Sequence, residues 1–147
     1  MFDIKQAAAD LDSMLYDIVV KQGIFVAVNK RQIRYKKYII VKGTDDNWNV
    51  ILADKRKIHV ATVFLKVSAF AICKMHEKGK KHSIDDIKNN DEIFRKNYID
   101  SQFYRKTAQN AKDPVTRESA YWRFELVKDY AKTAKARIDN LFYSSIV

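Results

Sequence analysis

A chain of 147 residues is long enough to bury a core as one domain, and three glycines with one proline argue for long regular elements over disorder. A single cysteine, Cys73, excludes an intramolecular disulfide, and its sequence context is that of an inert core thiol. The net charge of +10 is carried by residues 23–82, and everything outside that stretch sums to zero, which favours a polyanion-facing surface over uniform basicity.

Residues 3–22 read as an amphipathic helix. Ile4, Leu11, Leu15, Ile18 and Val19 recur at helical spacing, Asp3 is the N-cap and Gly23 ends the element. Asp10, Asp12 and Asp17 fit the solvated face of that helix better than an acid or metal cluster. The segment is acidic and amphipathic where a secretory leader is basic and then apolar. The expected setting is therefore cytoplasmic or within a virion, and not secreted. Lysine outnumbers arginine 20 to 8, and the supply of Asn, Ile, Tyr and Phe fits an A/T-rich genome such as a phage's.

The period changes over residues 24–54. IFVAVN, IRYKKYIIVK and WNVILAD are rich in β-branched and aromatic residues, which predicts a three-stranded antiparallel β-meander. Strict alternation along the middle strand puts Ile33, Tyr35, Lys37, Ile39 and Val41 on one face. Arg34, Lys36, Tyr38, Ile40 and Lys42 take the other. Residues 58–78 follow as a buried central helix. On a 100° wheel, Val60, Val63, Phe64, Val67, Phe70 and Ala71 cluster, and Ala61, Leu65, Ile72 and Met75 widen the arc beyond a surface stripe. Gly79 suits the position just past the helix end. A membrane span needs about 20 apolar residues. Lys66 splits this run, so no membrane partner is expected.

Ser83 caps a short helix over 84–88, and Asp91 caps a longer one over 91–111. Asp113 and Pro114 then start a last helix over 114–143. In it, Ala120, Phe124, Val127, Ala131, Ala134, Ile138 and Leu141 form a heptad seam. The short connection favours an intramolecular antiparallel hairpin between these two helices. The other reading of the seam is contact with a second copy or a protein partner. The fold class is α+β in a single domain over 1–147: N-terminal helix, β-meander, buried central helix and helical hairpin.

The motifs for chemistry are sparse. Asp45 or Asp46 and then Asp54-Lys55-Arg56-Lys57 superficially echo a metal-dependent nuclease hairpin. Arg56 stands where that pattern needs lysine, however, and aspartates are ordinary in such a turn. His76-Glu77 lacks a second histidine one helical turn on, because position 80 is lysine. His59 and His76 fall too far apart on the expected helix to share a metal. No nucleophile motif or glycine-rich phosphate loop is present, so no catalytic residue, metal or cofactor is assigned.

Cations do interleave with aromatic residues at Arg34-Tyr35-Lys36-Lys37-Tyr38, Phe103-Tyr104-Arg105-Lys106 and Tyr121-Trp122-Arg123. In a nucleic-acid binder, cations meet phosphates while exposed rings stack on bases. The acids within the C-terminal helices balance their bases, so the meander is the stronger candidate. The expectation is a non-enzymatic nucleic-acid-binding protein that contacts phosphates through Lys30, Arg31, Arg34, Lys36, Lys37, Lys55, Arg56 and Lys57. The alternative is a structural or assembly subunit, of a phage or virus particle for example, acting through protein contacts.

Overall fold

The computed structural model describes Ile4 and residues 25–146. The helix expected over 3–22 otherwise lies outside the described residues. The fold is α+β, a five-stranded antiparallel sheet followed by three helices. The strands are β1 (Val26–Asn29), β2 (Gln32–Tyr35), β3 (Tyr38–Lys42), β4 (Trp48–Ala53) and β5 (Lys57–Val63), paired in sequence order. The helices are α1 (Lys66–Glu77), α2 (Lys81–Asn110) and α3 (Pro114–Ile146).

The meander thus has five strands where three were expected, for two separate reasons. The stretch 33–42 is not one strand. Tyr35 pairs with Tyr38, so the chain reverses at Lys36-Lys37, with Lys36 at φ 47°. That conformation usually calls for Gly, Asn or Asp, and none is present to mark the turn. The reversal also resets the alternation. Ile33, Tyr35, Tyr38 and Ile40 all face the core, whereas Arg34 and Ile39 sit opposite each other on the outer face. The second added strand comes from the expected helix 58–78, whose first part is β5. Ile58 to Val63 is a β-branched run whose apolar spacing also satisfies a helical wheel. Val60 deepens the ambiguity, because it is the extra residue of a bulge: Val50 pairs with Ala61 and Ile51 with His59.

The helix that remains, α1, is buried as the wide apolar arc implied. It packs between the core face of the sheet and the α2–α3 hairpin, with Val67, Ala69, Phe70, Ala71, Ile72, Cys73 and Met75 all inaccessible. Phe25, Phe70 and Phe142 meet there, with ring centroids 4.5 Å apart for Phe25–Phe70 and 6.0 Å for Phe70–Phe142. Truncating any one of them to alanine costs about 3–5 kcal/mol. Gly79, at φ 69°, closes α1 in a Schellman turn, with Lys80 N bonded to the Met75 carbonyl and Gly79 N to that of His76.

The two helices expected over 84–88 and 91–111 are one continuous helix, α2. Asp91 does not start a helix of its own. Its carboxylate accepts from Phe64 N (2.7 Å), Leu65 N (2.9 Å) and Ser68 Oγ (2.7 Å), and so caps the N-terminus of α1 from a neighbouring helix. Burial pushes the Asp91 carboxyl above its ordinary value, and these three donors oppose that shift. Asp113 does act as the local cap read from sequence, accepting from Val115 N at 2.9 Å and Thr116 N at 3.1 Å. The heptad seam faces inward. Ala120, Phe124, Val127, Ala131, Ala134 and Ile138 are buried within the chain and Leu141 packs against the same core, which gives the antiparallel hairpin. Among the described residues, no helix is long and apolar enough to cross a membrane.

Candidate functional site

In an antiparallel meander, alternate turns fall at the same end of the sheet. The β2–β3 turn (Lys36, Lys37) and the β4–β5 turn (Asp54, Lys55, Arg56) therefore lie together, and Lys57 opens β5 beside them. Their spacing is two strand widths, roughly 10 Å. A backbone bond from Ala53 N to the Lys37 carbonyl, 2.7 Å, ties the two turns. Arg34 stands one pair in from this end on the outer face, in a cross-strand row with Val26, Ile39, Ile51 and His59.

Lys30 and Arg31 belong to the opposite end. Arg31 is engaged there in tying turns together. Its Nη2 donates to the Gly43 carbonyl at 2.9 Å, and its own carbonyl accepts from Lys42 N at 2.8 Å. The eight cations expected to act together are thus split, with five at one end, two at the other and Arg34 on the outer face.

The sequence reading missed a second contribution to the five-cation end. Helix α1 runs back along the sheet, so its C-terminus returns beside the β2–β3 turn. Tyr38 Oη lies 2.7 Å from His76 Nδ1, and the Tyr35 hydroxyl donates to Glu77. This places exposed Lys78, Lys80, Lys81 and His82 at the same end. The net +4 of residues 58–82 was the available signal. Lys78 is partly engaged, donating to the Ser145 carbonyl at 2.9 Å. Among the described residues, no carboxylate pairs with Lys37, Lys55, Arg56, Lys57, Lys80 or Lys81. Asp54 accepts from Lys55 N at 2.7 Å.

Among the described residues, Glu77 makes an ion pair with this group of cations. Glu77 accepts from Lys36 Nζ at 2.5 Å through Oε1 and from the Tyr35 hydroxyl through Oε2. Lys74 Nζ in turn donates to the Tyr35 hydroxyl at 3.1 Å. The hydrogen bonds from Lys36 and Tyr35 hold the Glu77 carboxyl below its ordinary range. Burial and then the Glu77 contact push the Tyr35 hydroxyl up, and burial holds the Lys74 ammonium down.

The rings of this region do not face solvent. Tyr35 is 3% exposed and Tyr38 6%, so neither presents a face on which a base could stack. Burial also pushes the Cys73 thiol far above its ordinary value, which leaves it protonated and unreactive. The carboxylates of the nuclease-like pattern do not converge. Asp45 and Asp46 sit at the other end of β4 from Asp54, roughly 20 Å of strand away. Asp45 is engaged within its own turn, accepting from Asn47 N and Nδ2 at 3.1 Å each. His59 and His76 are not on one helix. His59 lies on β5, where Nε2 meets Thr62 Oγ1 at 2.8 Å.

No protein-family model, no curated protein and no solved structure matches the chain.

Proposed function

We propose that the chain binds the phosphate backbone of nucleic acid at the turn end of its sheet. The observation that carries this reading is the gathering of Lys37, Lys55, Arg56, Lys57, Lys80 and Lys81 at one end from three separate turns, exposed and without a carboxylate partner among the described residues. Six like charges at one end repel one another, and a polyanion relieves that repulsion while releasing its condensed counterions. The buried tyrosines argue against base stacking. Recognition through phosphates alone fits a double-stranded or otherwise folded backbone better than a stacked single strand. The cations sit on tied turns and at a helix end, so little ordering accompanies binding. No part of this role needs catalysis, a metal or a cofactor.

Fluorescence anisotropy with a labelled duplex, titrated across salt, tests the reading. Log affinity should fall linearly with log salt, with a slope of about −0.9 per phosphate contacted. Absence of binding at low salt would overturn it.

A second reading, an assembly subunit acting through protein contacts, is supported by the outer face of α3. Val115 is 77% and Trp122 67% exposed, and Leu126 shares their face. Phe103 and Arg123 line an open groove beside Val115. The heptad seam is occupied inside the chain, so a partner would meet this opposite face. Sedimentation mass of the wild type against Trp122→Glu tests it, and a monomeric wild type with no protein partner would contradict it.

A further inference from the structure

The arrangement around Glu77 points to more than a surface ion pair. Each of its two carboxylate oxygens takes one donor, Lys36 Nζ on Oε1 and the Tyr35 hydroxyl on Oε2, and Lys74 Nζ supports that hydroxyl from behind. Both ammonium groups also lie against the Tyr35 ring, at 5.5 Å and 5.1 Å from its centroid. The two non-bridging oxygens of a phosphodiester present the same bidentate pattern as a carboxylate. Glu77 is also an awkward residue for its place. It is the last residue of α1, at the negative end of the helix dipole, where a carboxylate is disfavoured. Its side chain is 30% exposed, so it can turn to water without unpacking the core.

We propose that Lys36 Nζ, the Tyr35 hydroxyl and Lys74 Nζ form a phosphate subsite, and that Glu77 fills it until a nucleic-acid phosphate displaces the carboxylate. This rests on the backbone-binding reading above and extends it. The free protein then carries a built-in competitor at one position of its interface. Isolated anions are held off, while a polyanion that engages Lys37, Lys55 and Arg56 at the same time displaces Glu77 through its other contacts. Lys36 is silent in the wild type, because its charge is already matched. Displacing Glu77 takes up a counterion as the phosphate releases one, so this subsite adds nothing to the salt slope until the carboxylate is removed.

The test is a two-by-two set: wild type, Glu77→Gln, Lys36→Gln and the double variant, each titrated with a labelled duplex across salt. Glu77→Gln should bind about fivefold tighter, with a salt slope steeper by about one contact. Lys36→Gln should cost less than about twofold in the wild type and about fivefold in the Glu77→Gln background. Glu77→Ala, which removes the carboxylate and adds no donor, should repeat the Glu77→Gln result, and circular dichroism verifies the fold of each variant. An equal cost of Lys36→Gln in both backgrounds, or an unchanged slope in Glu77→Gln, would overturn the subsite while leaving the backbone-binding reading intact. Failure of all variants to bind at low salt would overturn both.

Discussion

The turn end of the sheet and the α2–α3 hairpin start from the same kind of sequence and arrive at opposite surfaces. Both interleave rings with cations, as Arg34-Tyr35-Lys36-Lys37-Tyr38 in the sheet and Tyr121-Trp122-Arg123 in the hairpin. In the sheet, the rings go in and the cations stay out, with Lys36 paired to Glu77 and Lys37 without a carboxylate partner among the described residues. In the hairpin, Trp122 goes out, Arg123 lies over the Tyr104 ring at 5.9 Å, and nearby cations pair with acids one turn away. Lys128–Glu125 and Lys135–Asp139 are such pairs, at 2.5 Å and 2.7 Å. The periodicity of the backbone decides which partner meets solvent. A two-residue turn sends both flanking tyrosines to the core, and a helical period spreads the same residue types around an axis. A basic and aromatic string therefore says little about display until its period is known.

The contrast can be broken most severely in the hairpin. Ala131 is fully buried on α3, so Ala131→Glu places an unpaired charge in the core. A loss of about 3–5 kcal/mol is expected. At roughly 2–4 °C per kcal/mol for a chain of this size, the melting midpoint by circular dichroism should fall by about 6–20 °C. Asp91→Ala comes next, because it strands the N–H groups of Phe64 and Leu65 and the Ser68 hydroxyl. About 2–3 kcal/mol should be lost. Asp91→Asn, which keeps one accepting oxygen, should lose less in the same thermal melt.

These two positions also show how far the sequence was readable. Ala131 belongs to a seam whose 3–4 spacing is a local property, and the hairpin, the Asp113 cap and the Gly79 stop were legible for the same reason. Asp91 reads in sequence as the cap of its own helix, but the helix end it caps lies 23–27 residues earlier, and only packing brings the two together. The hairpin at Lys36-Lys37 lacked a turn residue to mark it. β5 was hidden because β-branched residues at mixed spacing satisfy both periods until a bulge is recognised. Those two errors propagated to the site. Counting three strands instead of five scrambles which turns share an end. A three-strand count therefore groups Lys30 and Arg31 with residues at the far end and omits Lys78, Lys80 and Lys81.

Smaller effects sharpen the comparison on the sheet side. Lys55→Glu with Arg56→Glu should weaken duplex binding by about tenfold and shift thermal stability by no more than about 0.5 kcal/mol, because both residues are exposed and have no carboxylate partner among the described residues. On the hairpin, Trp122→Ala should leave both readouts almost unchanged, because the ring is exposed and lies away from the basic end. The smallest effect concerns pH. The Glu77 carboxyl is held below its ordinary 4.5 in the folded chain, so the stability it adds is present above that value and is lost as pH falls through the depressed one. A series of thermal melts below pH 4.5 should therefore show a shallower acid decline in Glu77→Gln than in the wild type.

The most direct test of the account compares the two ends of the sheet. Lys30 and Lys55 are both exposed lysines of the basic stretch, and strand topology puts them at opposite ends. Anisotropy titrations of Lys30→Glu and of Lys55→Glu with Arg56→Glu, against one duplex at one salt, separate position from overall charge. The account predicts a loss of less than about 1.5-fold for Lys30→Glu and about tenfold, or about threefold per charge and with a shallower salt slope, for the turn-end pair. Equal loss per charge at both ends would show that the duplex responds to net charge alone and would contradict an interface at the turn end.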